Sequence, residues 1–553
     1  MILGIDVGGT HTDVVCISKG EVVSSMKVET APDIVESITA GVSSMNIDYD
    51  GIKRVVLSTT LTTNAIIENR LERAGMFVSA GPGVNPKSYF LNRDFHLIEG
   101  AIDHRGRQYI PLDEPGVERA ARLLKDSGID SVGIVSKFSV RNHYHELRIK
   151  FMIEGRFKYV TMGHQMSGSL NFPRRIHTVF FNAGVLPVQA RFVSSVKKAF
   201  AGLGIKSRIL FLKADGGTFS SSAAERLPVE TIISGPAASI MGAFALRPDE
   251  KCAAVLDIGG TTTDIGLLAL GLPVFEPKGI SIKGLKTLVR GLKTVSVGAG
   301  GDSAVIVDKG NIQVGPSRKG PPCCLGGTVP TVMDALRVLG YVKTGSEDKA
   351  VKAVSDIASA CGMNVEETAK TIIRQMVGII KNAYTDFLED VNANPVYTIY
   401  EMLHPETVKP EKIILIGGPA LALKTFIEEE LGIPCVVPEN YDVANAIGAA
   451  VSKTTARITL LADTQRKQMI CPELEAEDII PPTYMIEDLK SSGERLLKKN
   501  AVFLGLADDY GIDVVEEQCF NMVSGFRTVG RNMRLKLQTR PGIIPEFRRK
   551  ASG

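Results

Sequence analysis

The sequence predicts an α/β protein of two related domains, with a small α+β unit appended. Three observations carry that reading. One hairpin motif occurs twice, far apart in the chain. Buried-type strands alternate with amphipathic helices around both copies. The chain has 553 residues, 44% hydrophobic and 23% charged, the composition of a globular protein. That length suits roughly three or four structural units.

The first copy is Asp6-Val7-Gly8-Gly9-Thr10-His11-Thr12-Asp13, set between the apolar runs 2–5 and 14–17. The second is Asp257-Ile258-Gly259-Gly260-Thr261-Thr262-Thr263-Asp264, set between 253–256 and 265–268. Each reads as strand, Gly-Gly turn, strand. Paired glycines let backbone N–H groups approach phosphate oxygens with no Cβ in the way. Threonine hydroxyls can add donors. Asp6 and Asp257 repel phosphate but can hold a hydrated Mg²⁺, which takes one or two carboxylates plus phosphate oxygens. One copy alone would read as an ordinary hairpin. Two copies sharing D-x-G-G-T-x-T-D point to a divided phosphate site.

Along the chain, 21–28 reads as a third strand and Pro32-Asp33 opens a helix to about Ser44. The strand Val55-Val56-Leu57 runs into the hydroxyl-rich turn 58–64 and a helix over 65–74. That turn reads equally as an N-cap and as an anion site. His143 and His145 sit two apart, so on a helix they share no face for a metal. They read as solvated or capping residues at a helix start. Pro173 begins a helix to Val185, and Pro187 closes the first domain. A further helix runs to about Leu203, then a strand over 208–213 and the turn Asp215-Gly216-Gly217. Ser234-Gly235-Pro236-Ala237-Ala238 opens a helix of small residues. Helices follow at about 348–360 and 365–391. A strand over 412–416 ends in Gly417-Gly418, and a second small-residue helix covers 443–456. Beyond it, 484–499 reads as a helix, 512–515 and 532–537 as strands, and Arg548-Arg549-Lys550 as a basic tail.

Taken together, these stretches resemble a known group. The duplicated hairpin is similar to the two phosphate loops of the actin, hexokinase and Hsp70 ATPase superfamily. Within it, D-V-G-G-T-x-T-D resembles the start of the hydantoinase A and 5-oxoprolinase family, which includes N-methylhydantoinase A-like and acetone carboxylase β-subunit-like chains. Thr59 to Glu68, 138–146, 164–168, 178–187, 296–303, 314–317, 321–327 and 330–335 resemble further family segments. The resemblance covers roughly 1–460.

The resemblance implies two ribonuclease H-like, actin-like ATPase domains around a nucleotide cleft. Residues 1–187 would form the first, 188–462 the second and 463–553 an extension without an assigned role. It implies ATP and Mg²⁺ or Mn²⁺ as cofactors. Asp6 and Asp257 would hold the metal and act in catalysis, with Asp13 and Asp264 as further catalytic acids. Gly8, Gly9, Thr10, His11, Thr12, Gly259, Gly260, Thr261, Thr262 and Thr263 would hold phosphates, with Gly300 beside them. Gly417 and Gly418 would lie under the adenosine. Thr59, Thr60, Thr63 and Asn64 would face a cyclic amide or other carbonyl substrate. Family members open cyclic amides or imides, or activate carbonyl compounds for carboxylation, with a second subunit. The implied partner is therefore a hydantoinase B-like large subunit, a further copy of the chain, or both.

Two departures put the substrate in question. His11 replaces the family's phenylalanine, and the adenosine turn reads Gly-Gly-Pro-Ala with no histidine soon after. A sugar or acid kinase, an ATPase that activates a redox enzyme and a nucleotide-switched binding protein remain open. The adjacent Cys323 and Cys324 bear on the second of these. They read as structural, because further well-spaced cysteines are missing around them. The formal net charge of +3 gives no argument for nucleic acid. No Gly-Lys dipeptide exists, which excludes a P-loop. No apolar run reaches the roughly 18 residues of a membrane helix. No leader is legible, so no membrane association and a cytoplasmic location are expected.

Overall fold

The computed structural model describes residues 1–276, 278–393, 407–507 and 510–548. The Arg549-Lys550 part of the basic tail lies outside them.

Two sheets of the same design form the centre. In the first, Ile2–Val7 pairs antiparallel with His11–Ser18, which pairs with Glu21–Glu29. On its other side Ile2–Val7 pairs parallel with Arg54–Thr59, then Arg208–Leu212, and Thr218–Ser220 closes the edge. The second repeats this order. Ala253–Ile258 pairs antiparallel with Thr263–Ala269 and parallel with Lys412–Ile416, which adjoins Cys435–Val436. Both central strands are almost fully buried. Continuous apolar runs suit strands covered on both faces.

The two halves meet through two helices of small residues, Ser234–Leu246 and Ala444–Val451. A Cβ on Gly448 would stand 2.2 Å from the Ala238 carbonyl oxygen, and one on Gly242 2.1 Å from that of Ala444. A Cβ on Gly4 would stand 2.2 Å from the Ala446 oxygen. Backbone therefore packs on backbone at this crossing, and only glycine fits. The second helix ends at Val451, short of the expected 456, because the chain turns extended at Ser452.

Pro187 does not end a helix. One helix runs Phe172–Gly202 through it. Proline cannot bond the carbonyl four residues back. Here Ser131 donates its hydroxyl to that Ala183 oxygen at 2.6 Å, and the Glu72 amide takes the Gly184 oxygen at 3.1 Å. The 187/188 division falls inside this helix, and the strands at 208–220 belong to the first sheet. By length and apolarity this helix could cross a membrane, but 67% of its apolar window is buried within the protein.

A four-stranded parallel sheet, Tyr159–Met162, Ser131–Ser136, Ala74–Ser79 and Phe95–Leu97, is inserted in the first half. The helix expected over 65–74 stops at Ile67, and Ala74 starts a strand of this insert. His143 and His145 are buried at the start of Tyr144–Met152, not solvated. His143 makes no capping bond and stacks on His164 at 4.9 Å. Burial holds both rings below the usual histidine range.

The C-terminal unit starts earlier than 463. Arg457–Asp463 already belongs to its five-stranded sheet. Ile512–Ser524 and Arg527–Thr539 form a hairpin much longer than the two short strands expected. Ile486–Lys499 packs on the sheet through Leu489, Leu496 and Leu497.

Candidate functional site

The two Gly-Gly turns close in the same way. The Gly8 amide donates to the His11 oxygen at 3.0 Å, and the Gly259 amide to the Thr262 oxygen at 2.9 Å. In each hairpin the two acids lie opposite each other, Asp6 against Asp13 and Asp257 against Asp264. The two hairpins share one electrostatic neighbourhood. Burial, with Asp13 and Asp257 nearby, pushes Asp6 up to about 7, against the opposing effect of Ser58 and Asn445. Burial and Asp257 likewise push Asp264 up to about 7. Burial also raises Asp13, partly offset by Lys27 at 2.7 Å. Carboxyls that crowd one another in this way favour a cation between them. Among the described residues, no group of three or more His, Cys, Asp or Glu could hold a metal. Two carboxylates are enough for Mg²⁺ that keeps its waters, so Asp6 and Asp257 fit that ion.

Asp257 is held from three sides. Its Oδ2 accepts from the Ser239 hydroxyl at 2.6 Å and from Asn445 Nδ2 at 2.9 Å. Ser239 lies on the first crossing helix and Asn445 on the second. A Cβ on Gly417 would stand 2.6 Å from Asp257 Oδ1, and φ there is +89°. The turn expected under the adenosine thus starts on the acid expected at the metal. Gly418 has open space beside it.

The threonines divide into two sets. Thr12 and Thr263 are buried and turn inward, Thr12 to the Thr30 hydroxyl at 3.0 Å and Thr263 to the Ala299 oxygen at 2.6 Å. The hydroxyls of Thr10, Thr261 and Thr262 make no hydrogen bond among the described residues and remain available to a ligand. Gly9 and His11 are exposed at the first tip. Gly300 backs the second hairpin: a Cβ there would meet the Gly260 oxygen at 2.5 Å. The Gly301 amide donates to the Gly259 oxygen at 3.0 Å.

Thr59, Thr60 and Thr63 tie this site to the first crossing helix. The Ser234 hydroxyl donates to the Thr59 oxygen at 3.1 Å, and the Ile233 amide to Thr63 Oγ1 at 2.9 Å. Thr60 Oγ1 donates to the Val7 oxygen at 3.3 Å, and Asn64 Nδ2 reaches Thr60 Oγ1 at 3.4 Å. The turn is therefore a strap between the first hairpin and the helix. Cys323 and Cys324 are buried, and it is their amides that bond, to Asp334 at 3.1 and 2.7 Å. Burial beside Asp334 pushes the Cys324 thiol up to about 12.

Sequence reasoning missed Ser239 and Asn445 on Asp257, Lys27 on Asp13, and Ser296, whose hydrogen bond opposes the rise of Asp264. The signal for the first two was a polar residue inside a helix of otherwise small apolar ones.

With this geometry in place, comparison with known proteins is decisive for the family. The hydantoinase/oxoprolinase pattern matches residues 175–458, and the pattern of its N-terminal region matches 2–157. The chain belongs to the hydantoinase/oxoprolinase family. It is 28% identical over 424 residues to the caprolactamase subunit alpha of Pseudomonas jessenii, covering 67% of this chain and 60% of that one. The acetophenone carboxylase gamma subunit of Aromatoleum aromaticum is 27% identical, covering 68% and 59%. The 5-oxoprolinase 1 of Arabidopsis thaliana is 27% identical, covering 61% and 31%. The chain thus spans less than two thirds of the length of these relatives. Two solved structures share the fold. Nucleotide-free acetone carboxylase superposes with a TM-score of 0.72 at 19% identity, over 99% of this chain and 88% of that one. ATP-dependent caprolactamase from Pseudomonas jessenii gives 0.69 at 20%, over 97% and 87%.

Proposed function

We propose that the chain binds Mg·ATP between the duplicated hairpins and uses it to activate a cyclic amide for ring opening, together with a second subunit. The observation that supports this most is the grip on Asp257 by Ser239 and Asn445. Two helices from the junction of the halves meet on one acid, so closure of the halves and metal binding are one event.

Each group has a role in this reading. The amides of the two Gly-Gly turns and the hydroxyls of Thr10, Thr261 and Thr262 orient the phosphates. Asp6 and Asp257 hold Mg²⁺, which would neutralise charge on the transferring phosphoryl group. Gly417 and Gly418 leave room for base and ribose. A lactam carbonyl is a poor electrophile, and a phosphoryl group on its oxygen opens the carbon to attack by water. The ring C–N bond then breaks with the nitrogen leaving as the amine, and the acyl phosphate that remains gives up phosphate to a second water. The names of the relatives support an amide or a carbonyl compound as substrate. Their subunit names support a partner chain.

The test is phosphate release from ATP by the purified chain with caprolactam, hydantoin, 5-oxoproline and simple sugars or acids, with and without a candidate large subunit. Lactam-dependent release that needs the partner is expected. Rapid phosphorylation of a sugar or acid by the chain alone would replace this reading with a kinase.

A further inference from the structure

An ion pair sits on the second Gly-Gly turn. Arg318 Nε donates to Asp302 Oδ2 at 3.1 Å. The aspartate is fixed against the turn itself. Its amide donates to the Gly260 oxygen at 2.6 Å, and a Cβ on Gly260 would stand 2.8 Å from its Oδ2. The arginine comes from a separate stretch, just after the strand Asn311–Val314. That stretch is tied back to the same place. The Gly315 amide donates to the Ala304 oxygen at 2.9 Å, and the Ala304 amide to the Ser317 oxygen at 3.0 Å.

The pair also faces the first hairpin. His11, at the tip of that hairpin, is among the charged neighbours of Asp302, and Asp302 among those of His11. Burial raises the Asp302 carboxyl, and Arg318 and His11 oppose that rise. The ion pair therefore stands in the field of both phosphate turns.

A carboxylate on a phosphate turn is out of place, since it repels the anion that the turn's amides would bind. Lys27 is committed to Asp13 at 2.7 Å, whereas Arg318 stands directly beside the second turn. The Nη groups of Arg318 make no hydrogen bond among the described residues. Its side chain is 31% exposed, against 12% for Asp302. The arginine can thus swing, while the aspartate is held by the turn. An ion pair with one partner this open to water is weak and exchanges readily. A phosphate offers the guanidinium two parallel charge-assisted bonds, which its single Nε contact to Asp302 does not match. An arginine at a transferring phosphoryl group stabilises the charge that develops there.

We propose that Arg318 is a ligand of the terminal phosphate of ATP, kept beside the second turn by Asp302 and passed from that carboxylate to the phosphate when the nucleotide binds. The proposal rests on the nucleotide site proposed above and adds a sensor of the third phosphate to it. Mg·ADP ends one phosphate short and leaves the arginine on Asp302.

The experiment is calorimetry on the full chain with Mg·ATP and Mg·ADP. It uses wild type, Arg318→Ala, Asp302→Ala and the double variant, and thermal unfolding of each sample checks its fold. Arg318→Ala should weaken Mg·ATP at least tenfold and Mg·ADP less than threefold. Asp302→Ala removes the competitor, so Mg·ATP should bind at least as tightly as to wild type. The double variant should stay as weak as Arg318→Ala. Should Arg318→Ala lose its fold, Arg318→Lys keeps the charge without the planar fork and should still lose preference for ATP over ADP. Wild-type affinity in the double variant would overturn the proposal, because the arginine would then only neutralise the aspartate. Asp302→Ala weakening Mg·ATP as much as Arg318→Ala would overturn it too, because the pair would then be structural. So would equal losses of ATP and ADP in Arg318→Ala. Failure of the wild-type chain to bind Mg·ATP would sink the proposed function together with this proposal. Wild-type binding of Mg·ATP that Arg318→Ala leaves unchanged would sink this proposal alone.

Discussion

Ser239 and Asn445 lie on different helices, yet both donate to one oxygen, Asp257 Oδ2, at 2.6 and 2.9 Å. Asn445 also neighbours Asp6 and opposes the rise of its carboxyl. The residue therefore senses both acids at once. Ser239→Ala and Asn445→Ala should each weaken Mg·ATP binding and turnover. Because both act through one carboxylate, their effects should not add. A double-mutant cycle should show a coupling of about 1 kcal/mol or more. Independent, additive effects would separate the helices from the acid.

The helix crossing gives a second expectation. Gly448→Ala places a methyl 2.2 Å from the Ala238 oxygen, which is backbone and cannot swing away. Overpacking of this kind costs about 1–3 kcal/mol. Thermal unfolding should shift down, and ATP turnover should fall as the halves lose their seat. A variant with the wild-type Tm and wild-type turnover would remove the crossing from the mechanism.

The acids give a pH dependence with a definite sign. Asp6 and Asp264 stand at about 7 in the folded chain against 3.8 when free. Between those values the folded chain holds more protons than the unfolded one. Stability of the metal-free protein should therefore fall as pH rises from about 4 to 7 and level off above it. Mg²⁺ affinity should rise over the same window, because the ion needs the carboxylates ionised. Urea unfolding without metal, and Mg²⁺ titration at pH 5.5 and 8, test both. Stability that rises steadily through this window would contradict the assignment.

Much of this was legible in the chain. The hairpins could be read because D-x-G-G-T-x-T-D states the turn and its chemistry within eight residues. The small residues of 234–238 and 444–450 announced close helix packing. What could not be read depended on distant partners. Pro187 looked like a boundary because nothing local shows that Ser131 takes the freed Ala183 carbonyl. His143 and His145 looked solvated because the cover over them comes from His164 and the rest of the insert. Ser239 and Asn445 are unremarkable polar residues until the fold turns both toward Asp257.

Asp334 supplies a further test. Its carboxylate, fully buried, accepts from the amides of Cys323, Cys324 and Thr331 and from the Thr331 hydroxyl. Asp334→Ala leaves buried donors without partners and should cost on the order of 3 kcal/mol. Cys323→Ser and Cys324→Ser keep the amides and should retain Mg·ATP binding. Chemical denaturation and thiol alkylation of the native chain check this. Fast alkylation of Cys324 at neutral pH would contradict a thiol pushed up to about 12.

Calorimetric titration of Mg·ATP into the wild-type chain and into Asp257→Asn tests the central claim most directly. The duplicated hairpin predicts one nucleotide per chain, bound only with Mg²⁺, and at least a tenfold loss of affinity in the variant with its fold intact. Equal affinity in the two proteins, or binding indifferent to Mg²⁺, would contradict it.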